Sequence, residues 1–411
     1  MSGALTALSA NSPQDSYVWG NGYTWSPEIQ THSSFATTQR AIPIPNLQQI
    51  FLGTVSQVDL KPTDLPDLLS NMHLSFSLPP GTYTPQVGRA IISRVDFLID
   101  GSPIESITDD WYIIRDELFL DADQKNSIYQ ATGSPNSTNP GGNYIIPLEL
   151  FFCHRKDSSN PYLPVCALSS SVLSVVFFFN DQNWITNSDT RIDLINPQLI
   201  IEGQTLSTEE RLYYQTTPLS YNIPIAYREA QLNYTNGVAV LHLTANFPVS
   251  MMVWFIRNSS YETGDPRFFA SRYDYGYTTK YIYSSVPVVN FDQTTNNYID
   301  VIQQVVMYFN GNNVLSTFPD GIYHSVVQPM DHNLSVPTKN MYMYCFTDSP
   351  KEFQLDGAAD FTKLDYKTTH LDVTFLPQFT TQIQNEFSLN LYYSGFRNLL
   401  IANGRASFST I

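Results

Sequence analysis

Residues 93–102 read SRVDFLIDGS, and residues 303–312 of the same 411-residue chain read QQVVMYFNGN. Each stretch is a run of β-branched and aromatic residues that ends in an Asx-Gly pair, which is typical of a strand entering a tight hairpin turn. Downstream of each lies a second aromatic-rich strand sequence, at residues 144–153 and 341–346. This shared order predicts a tandem duplication of one β-domain. Because there are only two copies, chance similarity between β-rich sequences is the alternative explanation.

Strand signals continue along the rest of the chain. Apolar and polar residues alternate over 72–78 and again near 387–393, which is the period of a half-buried strand. The runs 172–179 and 249–256 are apolar on both faces and predict strands buried between layers. Turn sequences separate the runs: PPG at 79–81, DGSP at 100–103, NG at 236–237, NGN at 310–312 and DG at 320–321. This punctuation predicts an all-β chain of sandwiches or barrels.

Helical signals are sparse. The sequence STEER at 207–211 places a hydroxyl N-cap before acidic first-turn residues, and residues 109–120 form a second, weaker candidate helix. Polar stretches at 131–143 and 259–274 predict long exposed loops. Loops of that length in a compact β-domain are usually functional or form interfaces.

The chain length exceeds what one hydrophobic core usually serves, so the sequence predicts two domains. We place them at residues 1–218, including an N-terminal arm, and residues 219–411. Residues 1–10 lack a basic region followed by an apolar core, so they do not have the pattern of a signal peptide. The longest apolar runs are too short to span a bilayer, which predicts a soluble protein that meets membranes only from outside.

The composition is acidic and poor in charge. There are 21 basic and 37 acidic residues, a formal net charge of −16, which argues against direct nucleic-acid binding because phosphate contacts need Lys and Arg. Charged residues make up only 14% of the chain, whereas there are 26 Tyr and 25 Phe. Either much of the surface is covered by partners, or the aromatic residues are used to build strands. Both interpretations stay open at this point.

The three cysteines are Cys153, Cys166 and Cys345. Three cysteines cannot form a full disulfide framework and no two have C-x-x-C spacing, so a reducing compartment is the simpler prediction. Pairing of Cys153 with Cys166 across a hairpin is the alternative.

No catalytic motif is present. The chain lacks a phosphate-binding Gly-Lys loop, a G-x-S-x-G elbow and an H-E-x-x-H pair, and Gly20-x-Gly22 lacks the third glycine of a dinucleotide-binding turn. We therefore predict no catalytic, metal-binding or cofactor-binding residues, no cofactor and no enzyme activity.

Two groups of titratable residues are candidate metal sites. The acidic group comprises Asp109, Asp110, Asp116, Glu117, Asp121 and Asp123. Such oxygen ligands suit Ca²⁺, but the spacing matches no loop of defined ligand geometry, so we interpret the group as a solvated acidic face. His324, Asp331 and His332 lie in one segment without the spacing of a zinc site, and we interpret the histidines as surface or turn residues.

Four N-x-S/T sequons occur, at Asn136, Asn233, Asn258 and Asn333. Without a predicted secretory signal, the favoured explanation is chance in a chain rich in Asn, Ser and Thr, and glycosylation is the alternative.

Six segments in order along the chain resemble the major capsid proteins of nucleocytoplasmic large DNA viruses. They are GALTALSANSPQDSYVWGN from residue 3, IISRVDFLIDGSPIESITDDWYIIRDELFL from 91, NYIIPLELFFCHRKDSSNPYLPVCAL from 143, FNGNNVLSTFPDGIYHSVVQPMDHN from 309, MYMYCFTDSPKEFQLDGAADFTKLDYKTTHLDVTF from 341 and YYSGFRNLLIANGRASFS from 392. STEER at 207–211 also falls where the family has an acidic helix start between its domains. The segments follow the family's order from one end of the chain to the other.

The resemblance implies two consecutive jelly-roll β-sandwiches, a double jelly roll. It implies a homotrimer whose six similar domains form a pseudo-hexagonal capsomer, and capsomers that tile an icosahedral shell. The implied partners are other copies of the chain, neighbouring capsomers, minor capsid and penton proteins, and an internal viral membrane, without direct nucleic-acid contact. The implied location is the virion, after assembly in the host cytoplasm.

Two departures from the family pattern point to a divergent member or a paralogue. The basic, aromatic stretch near residues 25–40 is replaced by SPEIQTH at 26–32, and the Pro-Ser-Gly turn of the late block by LDG at 355–357. One alternative is therefore a minor capsid component or a transient membrane-shaping scaffold of the same fold. A carbohydrate-binding β-sandwich with exposed Tyr and Trp is a second alternative, from a different functional class.

Overall fold

The computed structural model describes most of the chain. The described residues are 36–44, 52–135, 137–153, 162–229, 233–235, 237–262, 264–273, 275, 302–315, 321–350, 357–377 and 387–408. The predicted N-terminal arm lies mostly outside these ranges.

Nine strands form two antiparallel sheets in the first half of the chain. They are β1 Ala36–Pro43, β2 Val55–Leu60, β3 Leu68–Tyr83, β4 Ile92–Ile99, β5 Ser102–Thr108, β6 Asn139–Pro147, β7 Leu163–Pro164, β8 Leu173–Phe179 and β9 Ile195–Thr205. One sheet has the order β1-β9-β3-β6, with the short β7 also paired to β3, and the other has the order β2-β8-β4-β5. Leaving β7 aside, the eight strands cross between the two sheets in the wrapping order of a jelly roll, with the β4–β5 hairpin within one sheet.

The second half repeats this order with eleven strands. They are β10 Leu219–Glu229, β11 Asn233–Thr235, β12 Val238–His242, β13 Pro248–Asn258, β14 Ile302–Phe309, β15 Asn312–Leu315, β16 Tyr342–Cys345, β17 Ala359–Asp360, β18 His370–Phe375, β19 Phe387–Ala402 and β20 Arg405–Phe408. One sheet is β10-β19-β13-β16, and the other is β11-β12-β18-β14-β15. Without the short accessory strands β11, β17 and β20, the permutation equals that of the first half. The predicted fold of two consecutive jelly rolls is confirmed.

The repeat in the sequence falls on equivalent hairpins of the two rolls. Residues 93–102 run along β4 and through the turn to β5, and residues 303–312 run along β14 and through the turn to β15. Asp100 and Gly101 have φ of 52° and 77°, and Asn310 and Gly311 have φ of 50° and 78°. Positive φ at both central positions selects Asx-Gly over other pairs, which explains why this dipeptide recurs. The paired sequences at 144–153 and 341–346 likewise include β6 and β16, the sixth strand of each roll.

Five α-helices lie between the strands of the described chain. They are α1 Val87–Ile91, α2 Asp109–Phe119, α3 Ala122–Thr132, α4 Thr208–Thr216 and α5 Gln328–Asp331. Both predicted helices are confirmed, because α2 covers the candidate at 109–120 and the hydroxyl of Ser207 caps α4 by accepting the N–H of Glu210 at 3.4 Å. The predicted domain boundary after residue 218 stays a prediction, and α4 ends two residues before it.

The predicted exposed loop at 131–143 is wrong over most of its length. The helix α3 continues to Thr132, and β6 begins at Asn139. Strand β6 lies at an edge of its sheet and pairs only with β3 in the described chain, and edge strands tolerate the Pro and Gly that indicated a loop. Gly141 approaches β3 so closely that a Cβ there would lie 2.1 Å from the carbonyl oxygen of Pro79. The glycine therefore serves strand pairing and not a loop.

One hydrophobic core crosses from the first half into the second. It contains Phe97 and Phe177 of the first roll together with Phe255 and Tyr392 of the second. A separate core fills the second roll alone, around Trp254 and other side chains. Because the larger core includes side chains from both halves, the two rolls bury apolar surface against each other.

Candidate functional site at the junction of the two halves

The described residues hold no group of three or more His, Cys, Asp or Glu side chains that could bind a metal ion. No helix within the described ranges is long and apolar enough to cross a membrane. Cys153, Cys166 and Cys345 are buried and form no disulfide, so the alternative of a Cys153–Cys166 disulfide is not realised. Burial raises the pKa of the Cys153 thiol to about 12 and that of Cys166 to about 11, which keeps both thiols protonated and unreactive.

The interpretation of the acidic group as a solvated face is wrong for four of its six members. Asp109, Asp110, Asp116 and Glu117 are buried on helix α2, whereas Asp121 and Asp123 are exposed at the start of α3. Sequence spacing could not show this, because the partners that compensate these carboxylates lie far along the chain. Buried carboxylates require such partners.

Asp110 is joined to the second half by a buried ion pair. Its Oδ1 lies 2.7 Å from Nη1 of Arg257, which is on strand β13. Tyr275 donates its hydroxyl hydrogen to the same carboxylate, and the hydroxyl of Tyr392 lies 3.3 Å from Oδ2. Burial by itself raises the pKa of Asp110, but Arg257, Arg228, Arg272 and the hydrogen bond from Tyr275 together outweigh it and hold the pKa at about 2. The carboxylate is therefore charged across the whole physiological pH range.

Asp109 makes the neighbouring contact with residues 264–273 and 275, which we call the strap. Arg272 donates from Nη2 to Oδ2 of Asp109 at 3.1 Å, and the Tyr273 hydroxyl donates to the same oxygen at 2.9 Å. The guanidinium of Arg272 also lies over the ring of Trp184 in the first roll. A further bond runs from the hydroxyl of Thr84 to the carbonyl oxygen of Phe269 at 2.7 Å. The strap thus belongs to the second half in sequence and packs on the first.

The other end of α2 meets a second segment of the second half. Glu117 accepts hydrogen bonds from the backbone N–H of Thr338 at 2.8 Å and from its hydroxyl at 2.9 Å. Ser335 donates its N–H to the carbonyl of Leu118 at 2.8 Å and its hydroxyl to the carbonyl of Leu120 at 2.6 Å. Helix α2 is therefore bonded to the second roll at both of its ends.

The buried side of α2 is fixed to the first roll by Arg89. Its guanidinium, which is fully buried, donates to both carboxylate oxygens of Asp116 at 3.1 Å. It also donates to Glu149 and lies over the ring of Tyr112 at 4.4 Å from the centroid. Bidentate pairing of this kind fixes orientation as well as distance. Asp116 is therefore paired within the first roll and is not available as a metal ligand.

A small cavity of about 100 Å³ lies beside this network, between the two rolls. Glu105, Arg115 and Glu149 of the first roll line it together with Pro224 and Phe396 of the second. Glu105 accepts the backbone N–H of Phe151 at 2.7 Å. Burial raises the pKa of its carboxyl to about 7, because this bond and the nearby Arg115 only partly offset the lost hydration.

The interpretation of His324 as a surface or turn residue is wrong. The side chain is fully buried, its ring lies 5.1 Å from that of Trp254, and its Nδ1 is 3.1 Å from the carbonyl oxygen of Met343. Burial lowers its pKa to about 4. The polar appearance of the segment concealed this position, because residues 323–327 form one turn of π-helix that turns the imidazole inward. His332 is half-buried in a turn, which agrees with the prediction of a turn residue, and Asp331 is exposed.

The four sequons occupy different environments. Asn136 lies outside the described residues, and Asn233 is on strand β11. Asn258 is only 4% exposed, and its side chain accepts the N–H of Ser260 at 2.9 Å. Asn333 is exposed in a turn. The glycosylation prediction stays a prediction for all four, and Asn258 has the least accessible side chain of those whose burial is described.

The aromatic residues are mainly structural in the described chain. The exposed aromatic side chains of Phe, Trp and Tyr type are Tyr213, Tyr227 and Tyr366. This favours the interpretation that Tyr and Phe build strands and cores. Among the described residues, three exposed tyrosines and no exposed tryptophan are left for the carbohydrate-binding alternative, which needed exposed Tyr and Trp at a binding surface.

Sequence reasoning missed the basic and tyrosyl partners at the junction. These are Arg257, Arg272, Tyr273, Tyr275 and Tyr392. Two signals pointed to them: an arginine directly after the apolar run at 249–256, and Arg and Tyr within the predicted loop at 259–274. A buried arginine requires a carboxylate partner, and Asp109 and Asp110 of the acidic group provide such partners. The arrangement joins two domains and leaves no carboxylate of α2 free for chemistry on a substrate.

Two family models match the chain. The model described as the large eukaryotic DNA virus major capsid protein matches residues 210–407, and the model described as the major capsid protein N-terminus matches residues 30–214. Together they span both rolls and the junction.

Curated relatives and solved structures agree with these matches. The chain is 24% identical to the major capsid protein of Paramecium bursaria Chlorella virus 1, over 98% of both chains. It is 22% identical to the major capsid protein of Pyramimonas orientalis virus, over 90% of this chain and 92% of that protein. A subunit of the PBCV-1 virus capsid superposes with a TM-score of 0.74 at 18% identity, covering 94% of this chain and 99% of the other. The Faustovirus major capsid protein superposes with a TM-score of 0.68 at 11% identity, covering 93% of each chain.

Proposed function

The chain belongs to the family of large eukaryotic DNA virus major capsid proteins, and from this membership we propose that three copies build one pseudo-hexagonal capsomer. As a member of that family it is a structural subunit of an icosahedral capsid and assembles with other capsid subunits. The two rolls share one strand permutation, so three copies would present six similar domains around a threefold axis. This equivalence of the two rolls is the observation that carries the proposal.

The junction between the rolls supports the same proposal. A pseudo-hexagonal tile needs a constant angle between its two domains, since each domain must meet a different neighbour. Asp109, Asp110 and Glu117 on α2 bond directly to the second half, and the larger hydrophobic core crosses the same boundary. Buried, hydrogen-bonded networks of this kind restrict relative domain motion.

The proposal includes the partners and the location of the protein. We infer contacts with neighbouring capsomers, minor capsid proteins, penton proteins and an internal viral membrane, and assembly in the host cytoplasm before entry into the virion. We infer no direct nucleic-acid contact, which the net charge of −16 supports. A role without enzyme activity is part of the same proposal. So are the domain limits 1–218 and 219–411.

The oligomeric mass of the purified chain tests this proposal. Light scattering coupled to size-exclusion chromatography is expected to give three times the 46.5 kDa of one chain. Negative-stain micrographs of that species are expected to show a hexagonal outline. A stable monomer over the micromolar range would contradict the capsomer proposal.

A further inference from the structure

A second cavity, of about 390 Å³, opens on the second roll and shares Phe396 with the cavity between the rolls. Its walls combine the rings of Phe247, Phe396 and Phe408 with the side chains of Lys363, Arg397 and Asn398. Aromatic walls with a few polar groups at the opening are the composition of a recognition site, and the volume suits one amino-acid side chain or a short peptide segment.

The floor of this pocket depends on a close approach of two strands. A Cβ on Gly395 of β19 would lie 2.2 Å from the carbonyl oxygen of Pro248 and 2.6 Å from the ring of Phe247, so only glycine allows this packing. The register of β13 against β19 shifts directly beside it, between Val249 and Met251. A bulge of this kind redirects neighbouring side chains, and Phe247 is held almost fully buried as the floor.

One carboxylate, Asp360, lines the pocket, and it is paired with Lys363 and accepts from the hydroxyl of Thr362; Arg397 is a second cation in the lining. The guanidinium of Arg397 lies between two rings, 6.0 Å from the centroid of Phe247 and 5.6 Å from that of Phe408. No described carboxylate lies within ion-pair distance of Arg397, and its side chain is exposed. Lys363, at the lip, is 82% exposed and pairs with Asp360 at 2.8 Å. The amide oxygen of Asn398 accepts from Ser220, which leaves its N–H groups to donate.

Acidic residues outnumber basic ones on this chain. Its formal charge is −16, with 21 basic residues in all, and Arg89, Arg257 and Arg272 are consumed in buried pairs. Two copies therefore approach each other against a general electrostatic repulsion, which a local cation can relieve. A cation held between two rings, with no carboxylate partner, matches an acidic side chain presented by another acidic copy.

We propose that the pocket of Phe247, Lys363 and Arg397 receives an aspartate or glutamate side chain from a second copy of this chain. The guanidinium of Arg397 would donate to the carboxylate, and the phenylalanine rings would cover the aliphatic part of the acidic residue. This inference rests on the proposed function, because it assigns a contact between copies to a place on the second roll.

Charge reversal provides the first test. R397E is compared with R405E, which makes the same change at an exposed arginine outside the pocket, on β20. In sedimentation equilibrium at low salt, R397E is expected to weaken association between copies by tenfold or more, and R405E by about twofold at most. High salt is expected to narrow the gap between wild type and R397E. Equal effects of the two variants would overturn the proposal.

Photocrosslinking from the lip provides the second test. Lys363→p-benzoylphenylalanine is prepared in isotopically light and heavy forms, which are mixed so that mass spectrometry separates crosslinks between copies from those within one copy. The expected product joins position 363 to an acidic segment of the other copy, and R397E is expected to abolish it. A trimer of hexagonal outline without this product would overturn the pocket and leave the capsomer proposal intact. A monomer without it would overturn both.

Discussion

At the scale of single residues, several charged side chains are buried in ion pairs. Asp110 and Arg257 are 1% and 2% exposed, and they form an ion pair between residues 147 positions apart. Burying either charge alone is strongly unfavourable, so each makes the other necessary. The consequence is that α2 and β13 can exist in their native environment only when both rolls are present and docked.

The first prediction concerns this ion pair. D110N leaves Arg257 with Glu262 as its remaining carboxylate and removes the charge that compensates it across the junction. We expect the free energy of unfolding to fall by about 3 kcal/mol, measured by urea unfolding at pH 7. D123N, at an exposed position on α3, is the matched control and should stay within about 0.5 kcal/mol of wild type. A D110N variant as stable as D123N would show that the pair does not hold the junction.

The second prediction concerns the pH dependence that Glu105 confers. Its carboxyl has a pKa of about 7 in the folded chain against 4.5 for the ordinary group, so the folded state binds the proton more tightly. Its stabilising contribution is complete below pH 4.5 and is lost as the pH rises through about 7, on the order of 3 kcal/mol in total. E105Q is expected to lose this dependence, so its urea midpoint relative to wild type should be higher at pH 8 than at pH 5.

The control for Glu105 is D189N, which removes a carboxylate at an exposed position. Its midpoint should follow that of wild type at both pH values. A parallel shift of E105Q and D189N would mean that Glu105 titrates as an ordinary carboxyl.

At the scale of elements, glycines separate two kinds of constraint. Gly101 and Gly311 sit in equivalent hairpin turns with positive φ, and a Cβ at either position would meet no atom within 4 Å. Gly203, on the central strand β9, has a different role, because a Cβ there would lie 2.2 Å from the carbonyl oxygen of Leu68 on β3. The first kind of constraint is backbone conformation and the second is close packing of strands.

The third prediction follows from this difference. G101A and G311A should each cost about 1 kcal/mol, because alanine tolerates positive φ poorly but has room. G203A should cost about 3 kcal/mol, because β9 and β3 must separate to accept the methyl group. Thermal unfolding of the three variants under one condition measures the order. Equal costs for G203A and G311A would contradict the packing explanation.

At the scale of the whole molecule, the two rolls behave as one body. Helix α2 is bonded to the second half at both of its ends, the strap packs on the first half, and one core includes side chains of both. Relative motion of two domains is the ordinary expectation when their interface is small and polar. Here the interface is a continuous core with buried ion pairs, which is what a tile with a constant shape requires.

The fourth prediction concerns the strap. R272A removes the cation that faces Asp109 and the contact over Trp184. We expect faster amide hydrogen exchange over residues 264–273 and the first turn of α2, while the central strands β3 and β13 stay protected. The proportion of trimer should fall with the loss of a fixed angle between the rolls. R191A, at an exposed pair with Asp193, is the control and should leave both measurements unchanged.

The sequence by itself determined the strands, the hairpin turns, the two helices and the doubling of one fold. These features are local: the alternation at 72–78, the Asx-Gly pairs and the cap at Ser207 act through neighbours only a few residues away. The resemblance to a family then supplied the jelly-roll form of the two domains, which the structure confirms.

Only the tertiary structure decided which polar residues lie inside. Asp110 was interpreted as solvated and His324 as a surface residue, yet both are buried. Asp110 pairs with Arg257 and His324 packs against Trp254, and both partners are distant in sequence. The pocket at Arg397 likewise joins residues from β13, the turn at 361–363, β19 and β20. Whether a charged group is buried depends on all of its contacts in the folded structure, and the spacing of residues along the chain does not reveal those contacts.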